Sequence, residues 1–301
     1  MIRGMADGPS KPKEAEKASD TLQAAAEVPQ SYHGATSWTS LVDNIRDIQD
    51  LLAHDDDEMS PPEIPDLSPE VDLYFGTAST ITLQEVLDSL PSRADCDRVV
   101  SAYFNAKFQA VPFLHTISFQ RRYEAFWADP SSAGFLWISL LFGVLAAGAR
   151  IARFKSGLDA TVLQTVEDAK YYLQRSAQCL ITGQYLKDNA GSVEALLMHT
   201  HARYIQRVDA DPVIWALYGL VVRLAQRQGY HRDPAKVVVN ITPFQAEMRR
   251  RVWFMIQSGD LLHSFQHGMP PMVFEESCDI DHPTNLVDTD FDEDTIILPA
   301  P

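Results

Sequence analysis

Thr242-Pro243-Phe244-Gln245-Ala246-Glu247-Met248-Arg249-Arg250-Arg251-Val252-Trp253 carries the clearest structural instructions in the chain. Thr-x-x-Gln is the form of a capping box, in which the threonine hydroxyl and the glutamine side chain satisfy two of the open N–H groups of a starting helix. Pro243 falls at the first helical position, where its missing N–H costs nothing. Beyond the cap, Phe244, Met248, Val252, Met255, Gly259 and Leu262 fall on one apolar stripe at helical spacing. Glu247 stands three and four residues before Arg250 and Arg251, the spacing of helical ion pairs. The segment therefore predicts a long amphipathic helix that opens at Pro243 and carries its own charge pairs.

Working outward, the same signals recur. Asp211-Pro212 is an N-cap followed by proline, and Gly229 stands where that helix must leave through a left-handed residue. Helical stripes are predicted over Asp95–Ala110 (stopped by Pro112), Phe119–Trp127, Phe135–Ala152, Thr161–Ile181, Val193–Val208 and Pro212–Gln228. The only alternating stretch is Lys236–Ile241, read as a short strand. No βα alternation occurs. The expected fold is all-α, an irregular multi-helix regulatory domain over residues 83–301. A disordered leader is expected over 1–35, a short amphipathic helix over 36–53 (Trp38, Leu41, Ile45, Ile48, Leu52), and an acidic Pro-rich linker over 54–82. His54–Asp72 holds eight acids, four prolines and no Lys or Arg, so it resists helix formation and extends by self-repulsion.

Composition narrows the function. The 301 residues are 46% hydrophobic and 10% aromatic, enough for a sizeable core. Forty-one acids against 25 bases leave a formal charge of −16, so the chain as a whole repels phosphate and direct nucleic-acid contact is not expected. No Lys or Arg follows Arg251, while ten acids do, so the arginine triplet is expected to pair internally. Cys96, Cys179 and Cys278 are too scattered for a zinc knuckle or a disulfide framework. Residues 1–30 contain no apolar stretch of signal-peptide length. Ala133–Ala149 is uncharged, but at seventeen residues it falls short of the ~20 of a membrane span and reads as a buried core helix.

Several chemical look-alikes fail on their spacing. Gly143-x-x-x-x-Gly148 has phosphate-loop glycines, but Ala149-Arg150 replaces the required Lys and Ser/Thr, so close packing is the better account. Asp288, Asp290 and Asp292 begin like a calcium loop. Glu293 and Pro299 replace its turn glycine and closing glutamate, which leaves a solvated acidic loop as the expectation. His199 and His201 face different ways on a helix; His263 and His267 share a face but end at Gly268. No catalytic or metal-ligating set is expected.

Taken together, Gly229-Tyr230-His231-Arg232-Asp233, then Pro243, Glu247, Arg249-Arg250-Arg251 and Trp253, then Asp260 and Gly268-Met269-Pro270 resemble the fungal-specific transcription factor domain, the middle homology region of fungal zinc binuclear cluster factors. Pro283-x-Asn285 with Asp288 fits the tail of that pattern, and Leu90-Pro91-Ser92-Arg93, Asp97, Tyr103-Phe104, Phe113-Leu114-His115, Phe119, Tyr123 and Phe126-Trp127 fit its opening. The likeness covers residues 83–294. It implies an all-helical domain without enzymatic turnover, a nuclear location and a part in transcription control. Its implied partners are other transcription proteins or a second copy; the aromatic-lined core would hold a small-molecule effector or mask an activation segment, and the length of the apolar run argues against a membrane. The motif residues are expected to be structural, with the arginine triplet and Asp260 in ion pairs that fix one helix against its neighbours. Zinc and DNA binding come only by family association, because the six closely spaced cysteines of the cluster are missing. Against the family pattern the domain reads as truncated at its C-terminus. The alternative reading is a stand-alone ligand-binding or interfering regulator without DNA binding.

Overall fold

The computed structural model describes residues 79–106, 111–154, 168–187, 189–206, 211–238 and 240–300, with a two-residue antiparallel pairing of Thr21–Leu22 and Tyr32–His33. Apart from that pairing, which falls in the range expected to be a leader, residues 1–78 lie outside the described residues, among them the helix expected over 36–53 and most of the linker. The described chain is all-α. In order, α1 is Leu83–Ser89, α2 Arg93–Phe104, α3 Thr116–Ala128 and α4 Phe135–Phe154. Then follow α5 Ala169–Thr182, α6 Ser192–Ile205, α7 Pro212–Arg227, α8 Pro234–Val237 and α9 Pro243–Gln266. An extended strap runs over 267–300, broken by one 3-10 turn at Glu275–Ser277.

The apolar run of α4 is the axis of the fold. It packs against α2, α5 and α6, and α7 bridges α6 to α9. Ile138, Leu141, Phe142, Val144 and Leu145 are wholly buried. Each contributes about 1.5–3 kcal/mol of apolar burial. By length and hydropathy α4 could cross a membrane, but 89% of it is buried inside this protein, which is the expected core helix. Gly148 explains the glycine spacing. A Cβ there would stand 2.3 Å from the Val99 carbonyl oxygen, so α2 crosses α4 at near backbone contact.

Most predicted helices form, with ends shifted by caps from outside the stripe. α2 starts at Arg93 because Ser92 accepts the Asp95 N–H. α3 starts at Thr116, capped by His115. α5 is described only from Ala169, capped by Asp168. The linker boundary also moves. Ile81 is buried, its N–H donates to Thr182 Oγ1 at 2.9 Å, and Thr82 forms a capping box with Glu85. The strand expected at Lys236–Ile241 is overturned: Pro234–Val237 is a helical turn. Asp233 accepts the Ala235 N–H and Pro234 opens the turn, so a cap outweighs alternation that has no neighbouring strand to pair with.

A buried polar chain crosses the core. Ser139 Oγ donates to the Ser176 carbonyl at 2.9 Å, and His199 Nδ1 lies 3.1 Å from Ser176 Oγ. Burial, aided by Arg203, pushes the His199 pKa from 6.5 down to about 3. Burial also lowers His231 and His263. The folded state thus favours neutral imidazole. That contribution is complete above the unfolded pKa of 6.5 and erodes as pH falls from 6.5 toward 3. Urea unfolding is expected to show stability about 2 kcal/mol lower at pH 5 than at pH 7.5, from His199 alone. An unchanged midpoint between these pH values would count against a buried neutral His199.

Candidate functional site

The motif residues gather where α9 meets the strap. Glu247, wholly buried on α9, accepts the Thr284 N–H at 3.0 Å and the Thr284 hydroxyl at 3.1 Å. Its carboxylate also pairs with Arg250 at 3.3 Å and Arg251 at 3.4 Å, the helical pairs expected from spacing. Arg251, buried, reaches on to Asp288 Oδ1 at 2.7 Å and the Leu286 carbonyl at 2.7 Å, with its guanidinium 4.7 Å from the Phe291 ring centroid. Asp288 Oδ2 in turn accepts the Thr116 N–H at 2.7 Å and its hydroxyl at 2.8 Å. One arginine therefore joins α9, the strap and, through Asp288, the start of α3. Although burial opposes it, hydrogen bonds from Thr116 and Arg251 hold the Asp288 carboxyl below its ordinary pKa.

Arg249 faces the other way. It donates to the Gln228 carbonyl, at the end of α7, and lies 4.1 Å from the Tyr230 ring centroid. Tyr230 donates to Glu194 on α6 at 2.5 Å. Gly229 has φ +70° and lets the chain turn off α7, with the Tyr230 N–H closing back on the Ala225 carbonyl at 2.9 Å. Arg232 pairs with Asp279 at 3.0 Å, and Asp279 also accepts the Asp233 N–H at 2.7 Å and Lys236 at 3.2 Å. Burial would raise Asp279, but these three donors hold it far below the usual carboxylate range. His231 lies against Trp253, ring centroids 5.9 Å apart. Gly268, φ +64°, ends α9 ahead of exposed Pro270, and the Met269 N–H closes on the Ser264 carbonyl at 2.8 Å.

Three expectations need correction. Asp260 forms no ion pair among the described residues: its Oδ2 accepts the N–H groups of Met272 at 2.7 Å and Val273 at 2.9 Å. It clasps strap backbone, because a buried carboxylate can be satisfied by amide donors as well as by a cation. Nor are the tail acids simply a solvated loop. Asp288 is held as described, and Arg121 of α3 pairs with Asp292 at 2.9 Å and Glu293 at 2.5 Å. The stripe read along α9 is also rotated. Val252, Ile256, Gly259 and His263 are buried, while Leu262 is exposed.

Asp279 and Thr284 were not singled out by sequence, since their partners sit far off in the chain. His115 was seen only as part of the opening motif. Its Nδ1 accepts the Ser118 N–H at 3.3 Å, leaving Nε2–H to donate to the Phe291 carbonyl at 2.9 Å. His263 and His267 do not face a common point: His263 Nδ1 lies 3.2 Å from Gln266 Oε1, and His267 Nδ1–H donates to the His263 carbonyl at 2.8 Å. Beside the cluster, a cavity of about 260 Å³ opens among Phe119, Trp137, Leu140, Phe244 and Met248, with Arg122 and Glu194 in its wall.

A helical domain whose charged motif is spent on its own strap and loops is the class this geometry defines. The fungal specific transcription factor domain matches residues 100–296, and the chain belongs to that family. It is 36% identical over 282 residues to the Zn(2)-C6 fungal-type transcription factor pigI of Monascus ruber, covering 90% of this chain and 34% of that protein. To the fusarisetin A cluster transcription factor fsa6 of a Fusarium species it is 34% identical, covering 89% of this chain and 37% of the relative. For the equisetin cluster transcription factor eqxF of Fusarium heterosporum the identity is 33%, with coverage of 89% and 40%. The chain thus spans little more than a third of these curated relatives. No solved structure matches it.

Proposed function

We propose that this chain regulates transcription in the nucleus as a helical domain that does not itself touch DNA. The family match over residues 100–296 carries the reading. The burial of Arg249 and Arg251 supports its second half, because both guanidinium groups are already engaged with protein oxygens and rings. Arg250 is the most open of the triplet and still pairs with Glu247. One partly open arginine on a chain of charge −16 is a poor phosphate ligand. The three cysteines lie too far apart for a zinc binuclear cluster, so zinc and DNA contact would come from another segment or chain. The domain's role is to bind regulatory partners, and a small effector would sit in the 260 Å³ cavity.

The test has two arms. The purified chain, titrated with random-sequence duplex at low salt with and without zinc, is expected to show no binding, since low salt is the most permissive condition for phosphate contacts. Tethered to an unrelated DNA-binding module in a fungal cell, it is expected to change the output of a reporter gene. Duplex binding by the purified chain would overturn the claim that it does not touch DNA, and a silent reporter would overturn its regulatory role.

A further inference from the structure

The cavity beside the motif cluster has a chemistry of its own. Phe113, Phe119, Trp137 and Phe244 bring four rings to its wall, and Leu140 and Met248 extend the apolar lining. An apolar cavity of about 150 Å³ accommodates benzene, so the larger space here admits a ring with a short side chain, roughly ten to twelve non-hydrogen atoms. Walls rich in rings favour an aryl body, through edge-to-face and offset contacts. The uncharged polar groups of the wall are already engaged. His115 uses both ring nitrogens, one on the Ser118 N–H and one on the Phe291 carbonyl, and the Ser118 side chain hydrogen-bonds Glu293.

One charge is left over. Arg121 and Arg122 are neighbours on α3 with opposite fates. Arg121 is spent on the strap, at 2.9 Å from Asp292 and 2.5 Å from Glu293. Arg122 lines the cavity instead, its guanidinium 5.7 Å from the Trp137 ring centroid, and makes no hydrogen bond or ion pair among the described residues. Its exposure places it at the mouth. Desolvation lowers its pKa, and Glu194 and Glu293 offset this only from beyond ion-pair distance. Neither acid competes for the mouth. Glu293 is held by Arg121, while Glu194 accepts from Tyr230 through Oε1 and has Oε2 closed off from solvent. A guanidinium lying over a ring with its N–H donors unused is matched by a planar carboxylate, which takes two of those donors side by side. A dianionic phosphate would call for further cations, and the wall holds no second Lys or Arg.

We propose that this cavity binds a compact aryl carboxylate, with the ring among Phe119, Trp137 and Phe244 and the carboxylate on Arg122. The proposal rests on reading the cavity as the effector site. The probes are 3-phenylpropionate and its neutral isostere 3-phenylpropanamide, titrated onto the full chain with saturation-transfer NMR. The acid is expected to bind with a Kd of about 0.1–1 mM, in keeping with its few atoms. The amide is expected to bind at least about tenfold more weakly, because it lacks the charge-assisted pair. Arg122→Gln should bring the acid down to the affinity of the amide and leave the amide unchanged. That side chain is exposed, so circular dichroism and melting should match the parent chain. Met248→Trp, at a half-buried position, should fill the space and abolish binding of both compounds. Equal affinity for acid and amide, or a preference that survives Arg122→Gln, overturns the proposal. If Met248→Trp still blocks the amide in that case, the effector site stands without its carboxylate chemistry. No saturable binding of either compound up to about 10 mM overturns both the proposal and the effector site. The reporter experiment is independent of all these readouts.

Discussion

Glu247→Ala is expected to destabilise the domain by about 3–5 kcal/mol, the effect of breaking a buried ion pair from one side. The carboxylate is wholly buried and holds four donors, from Thr284 N–H, Thr284 Oγ1, Arg250 and Arg251. Alanine leaves a polar backbone N–H and part of a guanidinium without partners in a dry site. Arg251 keeps Asp288 and the Leu286 carbonyl, which places the effect toward the lower end of that range. Even 3 kcal/mol is a large share of the 5–15 kcal/mol that holds a typical domain. Glu247→Gln should be milder. It preserves volume and one acceptor for Thr284 but turns a donor toward arginine. Urea unfolding measures both, and limited proteolysis within 270–300 should rise in parallel because the strap loses its central tie. A Glu247→Ala chain with the parent midpoint would show that the strap is held by other contacts.

Gly148→Ala is expected to be nearly as damaging, against the local trend. In an open helix, alanine gains about 1 kcal/mol over glycine. Here the added Cβ would stand 2.3 Å from the Val99 carbonyl oxygen, 2.8 Å from Val99 Cγ1 and 3.1 Å from its carbonyl carbon. Two of these three are backbone atoms, so no rotamer change relieves the clash, and α2 must move off α4. Overpacking of this kind costs about 1–3 kcal/mol or more. The high end is expected, with a melting temperature lower by about 6–12 °C for a domain of this size. Gly143→Ala provides the internal comparison. Its nearest obstacle is Met198 Cγ at 2.8 Å, a flexible side chain, so a smaller loss is expected. Equal melting temperatures for the two variants would refute the close backbone crossing.

How much of this was legible in the residues follows from the range of the forces involved. Thr242 and Gln245 announced α9, and Asp211-Pro212 announced α7, because a cap is a contract between residues two or three apart. The Glu247–Arg250–Arg251 pairs were legible for the same reason. Lys236–Ile241 misled because alternation describes a strand only when another strand lies beside it, and Asp233 with Pro234 imposed a turn first. Asp260 misled because an acid near arginines suggests a salt bridge, whereas its donors are amides twelve and thirteen residues on.

From its sequence alone, this protein was bound to be helical, with α4 buried and with caps at the starts of α7 and α9. The ordered motifs that mark its family were equally plain. These properties rest on periodicity and on contacts within about one helical turn. Tertiary structure alone decided the destinations of the acids. Thr284 meets Glu247 across 37 positions, and Thr116 meets Asp288 across 172. No local pattern encodes such pairs, because a carboxylate accepts any donor that the fold brings near once water is excluded. The strap is thereby an integral part of the domain, held by Glu247 and Arg251, while Arg249 is spent on the end of α7.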